Sequence, residues 1–246
     1  MVSCARRTLA CAAAFLFLLA VGALSANAAS LQVSPLSIEF DGGETSALVR
    51  IKNVSDSAEQ LQVRVMSWRQ QNGQDVLEPT RDIVASPPIA RLAPGAEQVV
   101  RIIRASRDAA PSESTYRLLI SQVPAARSVA TSGVAILMQY SLPVFVASSR
   151  PAPANIRWQA EVVEDEISIK AFNLGGRRER VVGLRVENNG KEAVGELNGL
   201  AGYVLARSSM QWVFPANGAK PGDKVTISAQ SDSGNIRAVA PIEARN

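Results

Sequence analysis

The chain has 246 residues, 26 Lys and Arg against 22 Asp and Glu, two cysteines and no histidine. Without histidine it cannot build a Ser-His-Asp triad or an ordinary zinc site, and a charge so near balance argues against nucleic acid as the partner. The length suffices for two domains of ordinary size.

Arg6 and Arg7 precede an apolar run over residues 10–24 and the small-residue site Ala26-Asn27-Ala28. This is the pattern of a secretory signal peptide, with cleavage expected after Ala28. Residues 1–28 would be removed, and both cysteines, Cys4 and Cys11, with them. Neither is placed to become a lipidated first residue. The apolar run is too short for a transmembrane helix and no basic stop-transfer segment follows it. Losing Arg6 and Arg7 leaves 24 basic and 22 acidic residues, a net +2. A mature chain without cysteine has no disulfide or cysteine nucleophile, so it must rest on hydrophobic cores.

Alternating segments then recur between turn residues. LQVSPLSIEF comes first, followed by SALVRIKN, LQVRVMSW, EQVVRIIR and STYRLLISQV, with breaks at Asp41-Gly42-Gly43, Asn72-Gly73, Ser86-Pro87-Pro88 and Ala93-Pro94-Gly95. The run over residues 133–146, GVAILMQYSLPVFV, is the longest. As a single strand it would extend about 46 Å at ~3.3 Å per residue, far beyond the usual ~5–6 residues. Every second residue, from Val134 through Ile136, Met138, Tyr140, Leu142 and Val144 to Val146, is apolar. A soluble protein must bury such a strand, cover its edge or use it to bind. An apolar face packed inside the protein's own sandwich is the commoner outcome; the length and doubled apolar content favour binding here.

No long helical period appears, and six or seven strands in about 120 residues fit an immunoglobulin-like sandwich. This first domain spans residues 29–147. Ser148-Ser149-Arg150-Pro151-Ala152-Pro153 reads as a stiff linker. A second β domain follows over 154–246, with EISIKAF, RVVGLRV, YVLA, MQWVFP, KVTISA and IRAVAPI as its strands. Chemistry-bearing clusters are sparse. Glu161, Glu164, Asp165 and Glu166 flank ISIKAF as a solvated strand end or turn would, and Gly42-Gly43 and Gly175-Gly176 lie between strands rather than before helices, so no phosphate loop is present.

Several stretches resemble the periplasmic chaperones of the chaperone-usher pilus pathway. In the first domain these are LSIEFDGGETSALVRIKN, SPPIARLAPGAEQVVRI, ESTYRLLISQVP and the strand ending SLPVFV; in the second the likeness rests on strand order and YVLARSSMQWVFP. The Pro-Pro-x-x-Arg-Leu-x-Pro-Gly-x-x-Gln stretch over 87–98, followed by Glu113 and Tyr116, is the most specific combination. SLPVFV and Tyr116-Arg117-Leu118 are most similar to the archaic branch, whose pili include the spore-coat-U type.

The resemblance implies an all-β protein of two immunoglobulin-like sandwiches set as an L or boomerang. It implies a function without catalysis, nucleotide or metal: residues 133–146 would be lent to a pilin subunit lacking its final strand, before delivery to an outer-membrane usher. Val134, Ile136, Met138 and Tyr140 would be the inserted side chains. Many members anchor the subunit's terminal carboxylate through an Arg in the first strand and a Lys in the long one. Here the first position falls at or near Ser37, and SLPVFV has no Lys. Arg117 is the first candidate to replace them and Arg104 the second, against the plain alternative of an Arg on a solvent-facing strand position. Arg91 fits a structural place in the Pro-Gly turn region. Self-association through the edge strand is a further expectation. The rival reading is a secreted immunoglobulin-like adhesion or ligand-binding module. Against it, Trp68, Trp158 and Trp212 are scattered in sequence and form no evident aromatic platform.

Overall fold

The computed structural model describes residues 31–41, 43–105, 110–124, 136–150, 152–190 and 192–244. The expected signal peptide and Val134 lie outside them. Among the described residues every regular element is a strand. None forms a helix long and apolar enough to cross a membrane.

The first ten strands are β1 (Leu31–Ser34), β2 (Ile38–Phe40), β3 (Ser46–Asn53), β4 (Glu59–Gln71), β5 (Gln74–Pro79), β6 (Ile83–Ser86), β7 (Ile89–Leu92), β8 (Glu97–Arg104), β9 (Ser114–Gln122) and β10 (Gln139–Val146). They make two sheets. One has the order β1-β3-β8-β6; the other runs β2-β10-β9-β4-β5, with β7 also on β4. Alternation in the sequence places Val49, Ile51, Val100 and Ile102 of one sheet against Leu61, Val63, Leu118, Ile120, Leu142 and Val144 of the other, in one core. Each fully buried large side chain contributes roughly 1.5–3 kcal/mol, and the core is large enough to stand without a disulfide.

Seven strands follow: β11 (Ile156–Val163), β12 (Glu166–Asn173), β13 (Glu179–Asn188), β14 (Glu192–Val204), β15 (Ser209–Pro215), β16 (Lys224–Ser231) and β17 (Gly234–Ala244). Their order is β14-β13-β16-β17-β11-β12-β15. β17 joins the two halves of this second sandwich, pairing antiparallel with β16 over most of its length and parallel with β11 through Ile242, Glu243 and Ala244. Ile167, Ile169, Val186, Ile227 and Ile242 form its core. Gly195 is required where it stands, because a Cβ there would lie 2.3 Å from the ring of Phe214.

Three sequence expectations need correction. LQVSPLSIEF is two strands rather than one: Pro35 has no N–H for a ladder, and the chain crosses from the first sheet to the second between Ser34 and Ile38. The long strand is regular only from Gln139. Its neighbour β9 ends at Gln122, opposite Met138, so residues 136–137 extend past it, and 133–135 fall outside the described residues. The tryptophans are not all apart, since Trp158 and Trp212 stack with ring centroids 5.8 Å apart. The acidic cluster around ISIKAF is the β11–β12 hairpin, with Glu164 at φ 55° in the turn and Glu161 paired to Lys170 at 2.8 Å.

Candidate functional site: the overhanging strand and the domain joint

Register fixes what β10 offers to each side. Tyr140, Leu142 and Val144 stand opposite Ile120, Leu118 and Tyr116 of β9 and pack into the first sandwich. The same parity carried backwards reaches Met138 and Ile136, which lie beyond that core with 42% and 80% of their surface exposed. Leu137, of opposite parity, is also exposed. Tyr140 marks the boundary: it is half-buried against the core, and its hydroxyl donates to the Leu31 carbonyl at 3.0 Å. The strand's other edge is open along the same stretch. β2 pairs in parallel only with Val144, Phe145 and Val146, so residues 139–143 have no ladder partner on that side among the described residues. Where the overhang begins, Met138 is held to Gln122 by two hydrogen bonds, Met138 N–H to the side-chain oxygen at 2.7 Å and Gln122 N–H to the Met138 carbonyl at 3.0 Å.

The outer face of the same sheet meets the second sandwich. Phe145, Trp68, Tyr203 and Leu205 form a separate buried cluster, with Trp68 edge-on to Tyr203 at 5.5 Å. Arg117 lies here. Its guanidinium stacks 3.6 Å from the Trp68 ring centroid, 5.9 Å from that of Tyr203 and 4.0 Å from Asp75, leaving 16% of the side chain exposed. Burial lowers the guanidinium's pKa, and the Asp75 carboxylate opposes that shift. Arg104 is elsewhere. Its Nη1 donates to the Glu44 carbonyl at 3.5 Å, and it lines a cavity of about 220 Å³ with Asp82, Tyr116 and Val146. Tyr116 belongs to the inner core while Arg117, next on the strand, faces outward, so the two arginines occupy opposite sides of the β9 sheet and do not share a site. Arg91, on β7, is exposed.

Sequence reasoning missed the residues that join the two sandwiches. Arg178 sits in the charged stretch GGRRER, yet its side chain and that of Glu113 are each only 5% exposed. Arg178 forms an ion pair with Glu113, another with Glu39 at 2.5 Å, and stacks 3.4 Å from the Phe145 ring. It thereby touches β2, the entry to β9, and β10 at once. On the other side of the aromatic cluster, Gln70 donates to the Tyr203 carbonyl at 2.7 Å and accepts from Leu205 N–H at 2.9 Å. The nearby Gln211 N–H donates to the Gly73 carbonyl at 3.0 Å, and a Cβ on Gly73 would lie 2.6 Å from that of Gln211. The Asn72-Gly73 turn was legible as a turn; nothing in it foretold a docking point. Among the described residues no cluster of three or more metal-ligating acidic groups exists.

Comparison with known proteins gives a consistent picture. Residues 30–153 match the family described as pili and flagellar-assembly chaperone, PapD N-terminal domain. The Chaperone protein PapD of Escherichia coli is 28% identical over 188 residues, covering 72% of this chain and 73% of the relative. The crystal structure of the CsuC-CsuE chaperone-tip adhesion subunit pre-assembly complex, from archaic chaperone-usher Csu pili of Acinetobacter baumannii, superposes with a TM-score of 0.67 at 20% identity, over 89% of this chain and all of the matched chain. The Salmonella enterica SafA pilin in complex with the SafB chaperone gives 0.57 at 16% identity, over 85% and 96%.

Proposed function

Because this chain belongs to the family of pili and flagellar-assembly chaperones, we propose that it holds pilin subunits lacking their final strand by lending them residues 133–146. One observation carries this reading: the core face of β10 continues as exposed apolar side chains, Ile136 and Met138, along an edge with no ladder partner among the described residues. A groove missing one strand supplies what both features lack. Backbone hydrogen bonds along the open edge give affinity with little demand on sequence, and alternate side chains give register. Val134, Ile136 and Met138 enter the groove, with Tyr140 closing its base. At about 1.5–3 kcal/mol for each buried large side chain, three of them hold a subunit firmly but exchangeably, so the strand of an incoming subunit can displace them without nucleotide.

The remaining parts of the reading follow from this role. Residues 1–28 direct export and are removed; residues 29–147 form the subunit-binding domain, 148–153 the linker and 154–246 the second domain. The protein works in the periplasm and passes its cargo to an outer-membrane usher. The archaic branch fits best, since Ser37, in the crossing between β1 and β2, and SLPVFV, which has no Lys, stand where other members carry their carboxylate anchors. Arg117 takes that duty through its exposed edge, with Arg104 as second candidate. The test is capture of a β-rich subunit on co-purification from periplasm. Ile136→Asp and Met138→Asp are expected to abolish it while leaving the chaperone's own thermal unfolding unchanged, because an unpaired charge enters an apolar groove only in the complex. Loss of the free chaperone's transition in these variants would assign the face to its internal core and end the proposal.

A further inference from the structure

Among the described residues two asparagines are fully buried and fully satisfied, and they are built alike. Asn53, at the end of β3, donates to the carbonyls of Ser57 at 2.7 Å and Leu92 at 3.1 Å and accepts from Ser55 N–H at 2.9 Å. Asn173, at the end of β12, donates to the carbonyls of Arg177 at 2.7 Å and Val204 at 3.1 Å and accepts from Gly175 N–H at 2.9 Å. In each case one amide closes a loop of four residues onto itself and ties it to a distant segment. The surroundings differ. Around Asn53 the tied pieces, the loop after β3 and the end of β7, belong to one sandwich. Around Asn173 they are the pieces that meet the other sandwich.

The loop closed by Asn173 leads directly into Arg178, and Val204 lies between Tyr203 and Leu205, the two residues that Gln70 and Trp68 contact. Asn173 also accepts from Asn155 N–H at 3.1 Å, at the end of the linker. The loop gives the joint a backbone contact too, since Glu113 N–H donates to the Gly176 carbonyl at 2.9 Å. Gly175 packs so tightly against the linker that a Cβ there would lie 2.1 Å from the Pro153 carbonyl. A single amide thus registers the linker, the Arg178 loop and the Tyr203 strand end to one another. We infer that Asn173 is a positioning residue for the domain joint, setting Arg178 and Tyr203 at the distance that lets both engage the base of β10, whereas its counterpart Asn53 serves only the first sandwich.

An amide's two donors are what the arrangement demands. Asn173→Asp keeps shape and acceptor but turns a carboxylate oxygen toward the part-buried Arg177 and buried Val204 carbonyls, a loss that falls on the loop and strand end together. Hydrogen exchange on the free protein reads the consequence without reference to subunit capture, so failure here is separable from failure of the chaperone reading. In Asn173→Asp the amides of Glu113 and Leu205, which donate across the joint, are expected to exchange more than about tenfold faster, while Val225 and Ile227 in β16 keep their protection. Asn53→Asp is expected to leave Glu113 and Leu205 as in the wild type. Arg178→Met, which leaves the knot intact, is expected to loosen Glu113 and spare Leu174, whose N–H donates to the Asn155 carbonyl at 2.8 Å. Unchanged protection of Glu113 in Asn173→Asp overturns the inference. So does faster exchange spread evenly through the second sandwich, which assigns Asn173 to folding alone.

Discussion

Arg117 shows how neighbouring residues on one strand meet different surroundings. Tyr116 and Leu118 point into the first core, so parity turns Arg117 outward onto Trp68, where a planar cation stacks with a small part of its side chain still exposed. As a carboxylate anchor it should lose about 2–5 kcal/mol of capture energy on Arg117→Ala, with only partial recovery in Arg117→Lys, which lacks the two-pronged geometry. Amidating a subunit's C-terminus should weaken binding to the wild type and add little in the variant. Equal weakening in both would move the duty to Arg104. Tyr116, one residue earlier, answers to pH. Burial and then the Asp82 carboxylate, 3.3 Å from its hydroxyl, raise its pKa above the ordinary 10.0. The folded state therefore holds this proton more tightly than the unfolded chain. The associated stability is whole below about pH 10 and is lost as pH rises through the raised value. Tyr116→Phe should flatten this alkaline decline in urea unfolding, and an unchanged slope would assign it to Tyr203, whose pKa burial also raises.

At the scale of the strand, parity makes the sharpest distinction. Leu137 is as apolar as its neighbours and its exposure falls between theirs, yet an extended chain turns it away from the face shared by Ile136 and Met138. Leu137→Asp should leave most subunit capture intact in the same co-purification that Met138→Asp abolishes; comparable loss from both would mean that the segment does not bind as a strand. This face was legible in the sequence because alternation is local. SALVRIKN and EQVVRIIR likewise coincide with β3 and β8, each alternating cleanly between core and solvent. β5, β6 and β7 were not foreseen, since β6 and β7 have four residues each and β5 buries none of its residues. The glycines of β14 hid a thirteen-residue strand, whose shifts of register against β13 let positive-φ Gly199 and Gly202 fit. Arg178 was illegible for another reason. Its burial depends on Glu39 and Glu113, 139 and 65 residues away, and no local pattern reports such a partner.

Besides the linker, the whole molecule holds its two sandwiches together by the buried Arg178–Glu113 ion pair with Glu39 beside it, an aromatic cluster, the Gln70 bridge and the backbone hydrogen bonds from Glu113 to Gly176 and from Gln211 to Gly73. After export the chain should contain no cysteine, so reducing agent should leave both unfolding and capture unchanged, and mass spectrometry of periplasmic protein should find Ala29 or a near neighbour at the N-terminus. The ion pair should decide whether the sandwiches unfold as one. A buried pair adds little over a well-packed apolar substitute, but breaking it strands a charge and costs about 3–5 kcal/mol. Arg178→Met leaves Glu113 buried without its guanidinium, so the joint should open before either core, and calorimetry should resolve two transitions where the wild type gives one. Adding Glu113→Gln to Arg178→Met removes the stranded charge and should bring the transitions back together. The coupling should also reach β10, because Arg178 rests on Phe145 at its base. Arg178→Met should therefore weaken subunit capture more than its distance from Ile136 suggests, and the double variant should recover part of that loss. If the single variant unfolds in one transition at the wild-type temperature, the ion pair is incidental and the aromatic cluster with the Gln70 bridge and the backbone contacts joins the two sandwiches.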